Sequence, residues 1–578
     1  MFYLDSLPRD AGKALASLPS NPLEGGFEPL FDYASFRKRR AFMHVPVRPF
    51  LAVAVLAIVG ASFGTAFAAD KQEALILVGD HPDFVEPREL SSVDGVLETE
   101  LRVTYAENRI GADKVCLRSY NGGLTGPTLR VRPGDTLRIR LDNQLHVTPY
   151  CMRGHDPGEF NDTNLHTHGL HVSPSGNSDN VLLRIGPGEH KDFEFKISED
   201  HPSGTFWYHP HAHHSTAIQV ASGMAGVLLV EGTGLDTVPE IAAVPQRNFL
   251  FQQIPYDDNG LVENFEETFG VGKWHSSGRF TTINGQVQPR IRVAMGAVER
   301  WRMVHGGVRE SLRVALIAKN EVTVRPQAFH EIALDGLATG DLFPKQEIEL
   351  EPGYRSDALF VAPMQRGTYY VIDEETPAEK ALLGEAEPRR VLAVLEVGDF
   401  RGQQPLPDRE ALIQHRPFKS IENHELTGPP QAVVFDMPDN GGVRRYLINN
   451  REFDPKMVPR TLHLGQAAEW KLRSKFANHP FHIHVNPFEV LGAIDSQGNP
   501  TTVWRDTLLV PEGKEITVRS RYTKYTGCFV LHCHILDHED LGMMELVEIV
   551  DSRGNGKCDP AEVEAAHAGH AAHTGMLP

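Results

Sequence analysis

The sequence predicts an all-β protein of three consecutive β-sandwich domains, and three observations carry that prediction. Gly (51) and Pro (40) are spread along all 578 residues, which suits many turns between short strands and excludes a helical bundle or coiled coil. Period-2 alternation of apolar and polar residues recurs, the mark of strands with one buried face, and no comparable run of helical periodicity stands out. A strand–turn–strand unit occurs three times, at spacings of roughly 160 residues.

The first copy runs from Gly126 through Thr128–Val131 and Gly134 into Thr136–Leu141. The second runs from Ile283-Asn284-Gly285 through Arg290–Val293 and Gly296 into Glu299–Val304. The third runs from Ile448-Asn449-Asn450 through Arg460–Leu464 and Gly465 into Glu469–Leu472. With linkers around Gly232–Glu240 and Gly402–Asp408, the expected sandwiches are 70–235, 236–402 and 403–550. Residues 551–578 are expected to be a flexible, His-containing tail.

Residues 1–69 read as an extension and export signal. A basic cluster, Arg37-Lys38-Arg39-Arg40, precedes an uncharged apolar run from Pro49 to Ala69 that ends in Ala66-Phe67-Ala68, a cleavage-like site. The run is also long enough to serve as an uncleaved anchor. Arg39-Arg40-Ala41-Phe42 resembles the twin-arginine pattern, whose pathway exports folded proteins. The 36 residues ahead of the basic cluster are long and mixed for a signal, so the start codon is open. The expectation is a periplasmic or extracellular monomer with no membrane span after cleavage. With 57 Lys+Arg against 76 Asp+Glu the net charge is −19, which argues against nucleic acid or anionic lipid as the main partner.

The chain carries 28 His, and their placement decides the chemistry. The His-x-His pairs of the chain include four in strand-like context: His166/His168, His209/His211, His482/His484 and His532/His534. On a strand, residues i and i+2 share a face, so each pair offers two adjacent imidazoles. About one or two such pairs arise by chance in a chain this rich in His, so one alone is weak evidence. Four, two early and two late in strand-like context, form eight imidazoles suited to a cluster of three metal ions. Cys533 lies between His532 and His534 and faces the other way, so its thiolate can serve a different metal. With His479, His538 and Met543 it makes one thiolate, two imidazoles and a thioether, the ligand set of a blue-copper site.

His532-Cys533-His534-x3-His538-x4-Met543 and His479-Pro480-x-His482-x-His484 resemble the two C-terminal motifs of multicopper oxidases. His166-Thr167-His168-Gly169 and Trp207-Tyr208-His209-Pro210-His211 resemble the two N-terminal ones. The likeness spans about residues 100–550 and points to the three-domain, laccase-like branch, which implies cupredoxin-like Greek-key sandwiches. It implies four copper ions: a type 1 ion at Cys533, His479, His538 and Met543, and a type 2 ion at His166 and His482. The type 3 pair would take His168, His209 and His532 on one ion, and His211, His484 and His534 on the other. The middle domain, without a His-x-His pair, would be a copper-free spacer. Single electrons from a small reducing substrate would reduce O2 to water. Glu539 and Asp179 stand where the family places proton-relay acids; a solvated Glu and a turn Asp are the plain alternatives.

Phenols and aromatic amines, oxidised at an exposed edge of His538, are the favoured substrates. The alternative is a metallo-oxidase of Cu(I) or Fe(II); only Met364 falls within 350–420, so no Met-rich insertion is present there. From another class, a copper-free structural or copper-storage relative would not need complete ligand sets. His171, His213 and His214 are either supports of the ligands or solvated. Cys116, Cys151, Cys528 and Cys558 allow three pairings. Asp551, Asn555, Gly556, Asp559 and Glu562 have EF-hand-like spacing, but Arg553 occupies a ligand position, which favours a plain turn. His567, His570, His573 and Met576 form either a metal-scavenging tract or an end without a role.

Overall fold

The computed structural model describes residues 76–154, 160–270, 273–276, 280–320, 325–439, 441 and 443–566. The export segment expected at 1–69 and the histidines beyond 566 lie outside them. Six sheets form three successive pairs, the cupredoxin-like sandwich repeated along the chain. The first pair holds strands between Glu89 and Val230, the second between Gln246 and Gly398, the third between Gln431 and Val550.

The three sequence repeats occupy equivalent places. Thr128–Val131 and Thr136–Asn143, joined through Gly134, belong to opposite sheets of the first pair. Arg290–Ala294 and Val298–His305 do the same through Gly296, and Arg460–His463 and Ala467–Ser474 through Gly465. The linking glycines have φ of +91°, +69° and +85°, a region that side chains disfavour, so each corner needs a glycine. Each strand of the unit lies parallel to a strand distant in sequence, for example Arg460–His463 beside Met544–Val550 and Ala467–Ser474 beside Gln431–Asp436. Alternation does the rest. In Thr136–Asn143 the side chains of Leu137, Ile139 and Leu141 enter the core, while Arg138 faces Glu194 across the sheet at 3.1 Å.

Disulfides join Cys116 to Cys151 and Cys528 to Cys558, leaving Cys533 as the free cysteine. The second bridge ties the segment after the last strand to Gly527–Cys533. There a short helix, Pro560–Ala566, packs Val563 against Val530, Met544 and Leu546. Residues 551–566 of the expected flexible tail are therefore docked, because a covalent link and an apolar contact hold them. The calcium-like spacing is a turn: Asp551 accepts the backbone N–H groups of Arg553 and Asn555 and the Asn555 side-chain amide.

Candidate metal centre

The strand His166–His168 forms one edge of its sheet and pairs antiparallel with Gly204–His209, placing His166 opposite His209. In the third pair of sheets, His479–Ile483 pairs antiparallel with Gly527–Cys533, placing His482 opposite His532. These two histidine-bearing surfaces meet. His166 stacks on His484 and His168 on His482, each with ring centroids 3.9 Å apart. All eight imidazoles are buried.

Hydrogen bonds on the outer side of the rings decide which nitrogens face inward. The Nδ1 atoms of His209, His482 and His532 lie 2.9 Å from the backbone oxygens of Pro210, Asp506 and Cys533. A carbonyl only accepts, so Nδ1 carries the proton and Nε2 keeps its lone pair. His166 directs Nδ1 at both Asp179 oxygens at 3.1 Å. His168 is reversed. Its Nε2 lies 3.2 Å from Asp506 Oδ1 and from Thr507 Oγ1, and its Nδ1 turns inward, 3.2 Å from His534 Nε2.

The inward atoms converge. His532 Nε2, already a lone pair, lies 3.2 Å from Nε2 of both His211 and His484. Nε2 of His166, His209 and His482 is buried with no hydrogen-bond partner. Burial, reinforced by the neighbouring imidazoles, holds His166, His168, His211, His482, His484 and His534 well below the usual histidine range. Burial also takes His209 to about 3 and His532 to about 4. Neutral, preorganised imidazoles aimed at a shared centre are what a metal cluster requires.

The structure corrects the expected grouping of these histidines. His532 sits with His211 and His484, and His534 sits with His168 and His209. The cause is strand register. Because His482 lies opposite His532, His534 lies opposite Pro480, whose oxygen accepts its N–H at 2.7 Å. His484 is four residues beyond Pro480, roughly 13 Å along the strand, and so cannot share an ion with His534.

On the other face of the same strand, Cys533 Sγ lies 3.3 Å from His479 Nδ1 and 3.9 Å from His538 Nδ1. His479 Nε2 lies 3.0 Å from the Phe476 oxygen, so its Nδ1 lone pair points at the sulfur. The Cys533 N–H donates to the Met543 oxygen at 3.1 Å, which brings the fully buried Met543 into the same loop. Burial pushes the Cys533 thiol well above its ordinary range, opposed by the Ile535 N–H and aided by Asp537 and Glu539. Such a thiol ionises when a cation takes the proton's place, and the mixed soft donor set suits copper.

The expected exposed edge of His538 is absent. His538 is 1% exposed, and the half-buried ring of Tyr446 packs over it with centroids 4.8 Å apart. Glu539 and Asp179 are both buried rather than solvated. Glu539 is fully buried, 3.5 Å from His211 Nδ1, and burial together with Asp540 drives its carboxyl well above the usual range. Asp179 grips His166 and the Thr167 N–H, and burial raises it to about 7.

His171 directs its Nδ1 to the Val485 oxygen at 2.7 Å, beside the cluster, and the rings of His213 and His214 lie 3.8 Å apart, tilted by 33°. Sequence reasoning missed Arg355, Asp506, Thr507 and Tyr446. Of these, only Arg355 left a trace, as a charge opening the strand Arg355–Val361, whose last four residues are apolar.

Two family models, both described as multicopper oxidase, match residues 103–234 and 426–552. Among curated relatives, "Multicopper oxidase mco" of Staphylococcus haemolyticus is 27% identical over 75% of this chain and 83% of its own. A laccase of Haloferax volcanii is 24% identical over 80% of this chain and 84% of its own. A solved multicopper oxidase from Campylobacter jejuni, described as a metallo-oxidase, superimposes with a TM-score of 0.64 at 23% identity, covering 83% of this chain and 98% of that one.

Proposed function

The chain belongs to the multicopper oxidases, and from that premise we propose that it takes single electrons from phenols and aromatic amines beside His538 and reduces O2 to water at the eight-histidine cluster. In this reading four coppers are bound. Cys533, His479, His538 and Met543 hold one, and His166 with His482 a second. His168, His209 and His534 hold a third, and His211, His484 and His532 a fourth. When bound, copper supplies the one-electron chemistry, and four such electrons with four protons convert one O2 to two waters.

One observation supports the reading above others. The Cys533 side chain faces His479 and His538, while its two sequence neighbours face the cluster. The donor side and the oxygen side are thereby joined through the backbone of a single residue. Tyr446, partly exposed over His538, supports aromatic donors, since a planar ring offers another ring a stacking face. The carboxyls of Glu539 and Asp179, each against the outer nitrogen of a cluster histidine, hold protons where oxygen reduction consumes them.

The test is oxygen consumption by the copper-loaded enzyme with a phenol, Fe(II) and Cu(I) compared side by side. Aromatic donors should be oxidised fastest; a metal ion oxidised faster would replace them with a metallo-oxidase. A colourless copper-loaded protein that consumes no oxygen would leave only a structural or storage role. We also place the protein outside the cytoplasm, on the strength of Arg39-Arg40 and the apolar run after them. Replacing both arginines with lysine should retain the protein in the cytoplasm. No helix among the described residues is long and apolar enough to cross a membrane.

A further inference from the structure

Arg355 comes from the middle pair of sheets, which supplies none of the clustered histidines, yet its guanidinium lies at the cluster. It is fully buried and all three nitrogens are engaged. Nε donates to the Thr205 oxygen at 3.2 Å, and Nη1 to the Gly353 oxygen at 3.1 Å. Nη2 donates to the Asp335 oxygen at 2.8 Å, while Nη1 and Nη2 together grip the two carboxylate oxygens of Asp506, the first at 2.7 Å. One side chain thus bridges all three sandwiches.

Asp506 in turn touches two cluster histidines. Its Oδ1 lies 3.2 Å from His168 Nε2, and its backbone oxygen accepts His482 Nδ1–H at 2.9 Å. Behind it, Asp335 accepts Arg505 Nε at 2.9 Å and the N–H groups of Asp506 and Thr507. Room for the guanidinium depends on Gly169, directly after His168. A Cβ there, at a φ of +85°, would come 2.5 Å from Asp506 Oδ2 and closer still to Arg355 Nη2.

His168 is the cluster imidazole whose outer partners lie on Nε2, and Asp506 is the charged one of those partners. Both Asp506 oxygens already accept from the forked guanidinium, and Oδ1 also from the Thr507 hydroxyl at 2.8 Å, so the carboxyl meets His168 as an acceptor, which selects the Nε2–H tautomer and frees Nδ1. Building on the copper reading above, we propose that Arg355 is a positioning residue of the cluster. By clamping Asp506 it fixes the reversed tautomer of His168 and the ring orientation of His482. The middle domain is then part of the oxygen-reducing site.

The experiment uses full-length, copper-loaded Arg355→Lys and Asp506→Asn. Lysine keeps the charge but loses the planar fork, and asparagine keeps the shape but loses the obligate acceptor. Both should lose cluster copper affinity by about 10–100-fold. The expected readouts are a weakened or shifted paramagnetic signal of the type 2 ion and a weakened near-ultraviolet band of the coupled pair. Blue absorbance per chain should stay at the wild-type level, because Cys533 faces away. Cluster signals and copper content like wild type in both variants would overturn the role of Arg355 alone. Blue and cluster signals falling in parallel, with a lowered unfolding temperature of the copper-free protein, would also overturn it, reducing the clamp to a general fold contact. A wild type that never acquires cluster signals would overturn the copper reading along with it.

Discussion

Tyr446 lays its ring over His538, with centroids 4.8 Å apart, and His538 is left 1% exposed. A donor approaching from solvent therefore meets a phenol ring before it meets the imidazole. An aromatic pair of this kind contributes about 0.5–1.5 kcal/mol beyond simple burial. Tyr446→Ala should raise KM for a phenol by roughly 2–10-fold, the same energy expressed as affinity. A small inorganic reductant should bleach the blue colour under argon at least as fast as before. An unchanged KM would remove Tyr446 from the donor site.

Cys533 is the free cysteine, and its sulfur faces His479 and His538. Copper-loaded protein should be intensely blue, bleach with reductant under argon and recover in air. Cys533→Ser should abolish both the colour and oxygen consumption, because a hydroxyl cannot supply the soft thiolate donor. A serine variant that stays blue would falsify this assignment. Removing copper with a chelator should give the same loss in the wild type, reversed by adding copper back.

The middle domain carries a pH-dependent cost of its own. Glu351 is buried against Ser311, whose hydroxyl donates to it at 2.6 Å, and burial raises its carboxyl from 4.5 to about 7. Between those values the folded protein holds a proton that the unfolded chain has released. Its stabilising contribution is complete below pH 4.5 and is lost as pH rises through 7. The span corresponds to about 3 kcal/mol at most. Copper-free Glu351→Gln should lose several degrees less than wild type in unfolding temperature between pH 5 and pH 8. Equal losses in the two proteins would mean that Glu351 does not hold its proton in the fold.

Much of this was legible in the chain. The period-2 geometry of strands made four His-x-His pairs readable as four pairs of convergent imidazoles, and it set Cys533 on the opposite face. The three Gly-turned corners were equally plain, since Gly134, Gly296 and Gly465 sit where a positive φ is required. The pairing of His532 with His211 and His484 was not, because register between His479–Ile483 and Gly527–Cys533 is a property of two distant segments. Tyr446 over His538 and Arg355 beside His168 were hidden for the same reason. Each is a contact between segments distant in sequence, carrying no local spacing to read.

Glu539 separates the oxygen side from the donor side. It is fully buried, 3.5 Å from the outer nitrogen of His211, and follows directly after His538. Burial and Asp540 drive its carboxyl well above the usual range, and in the proposed reading it releases a proton toward the cluster and is refilled. Glutamine matches its shape but cannot exchange a proton. Glu539→Gln should slow oxygen consumption at saturating reductant by about 10²–10⁴-fold, the usual weight of a general acid. Reduction of the blue site under argon should keep its rate, since no proton from Glu539 enters that step. If both rates fall together, Glu539 acts by shaping the His538 loop; if neither falls, the protons reach oxygen by another path, with Asp179 on His166 the next group to replace.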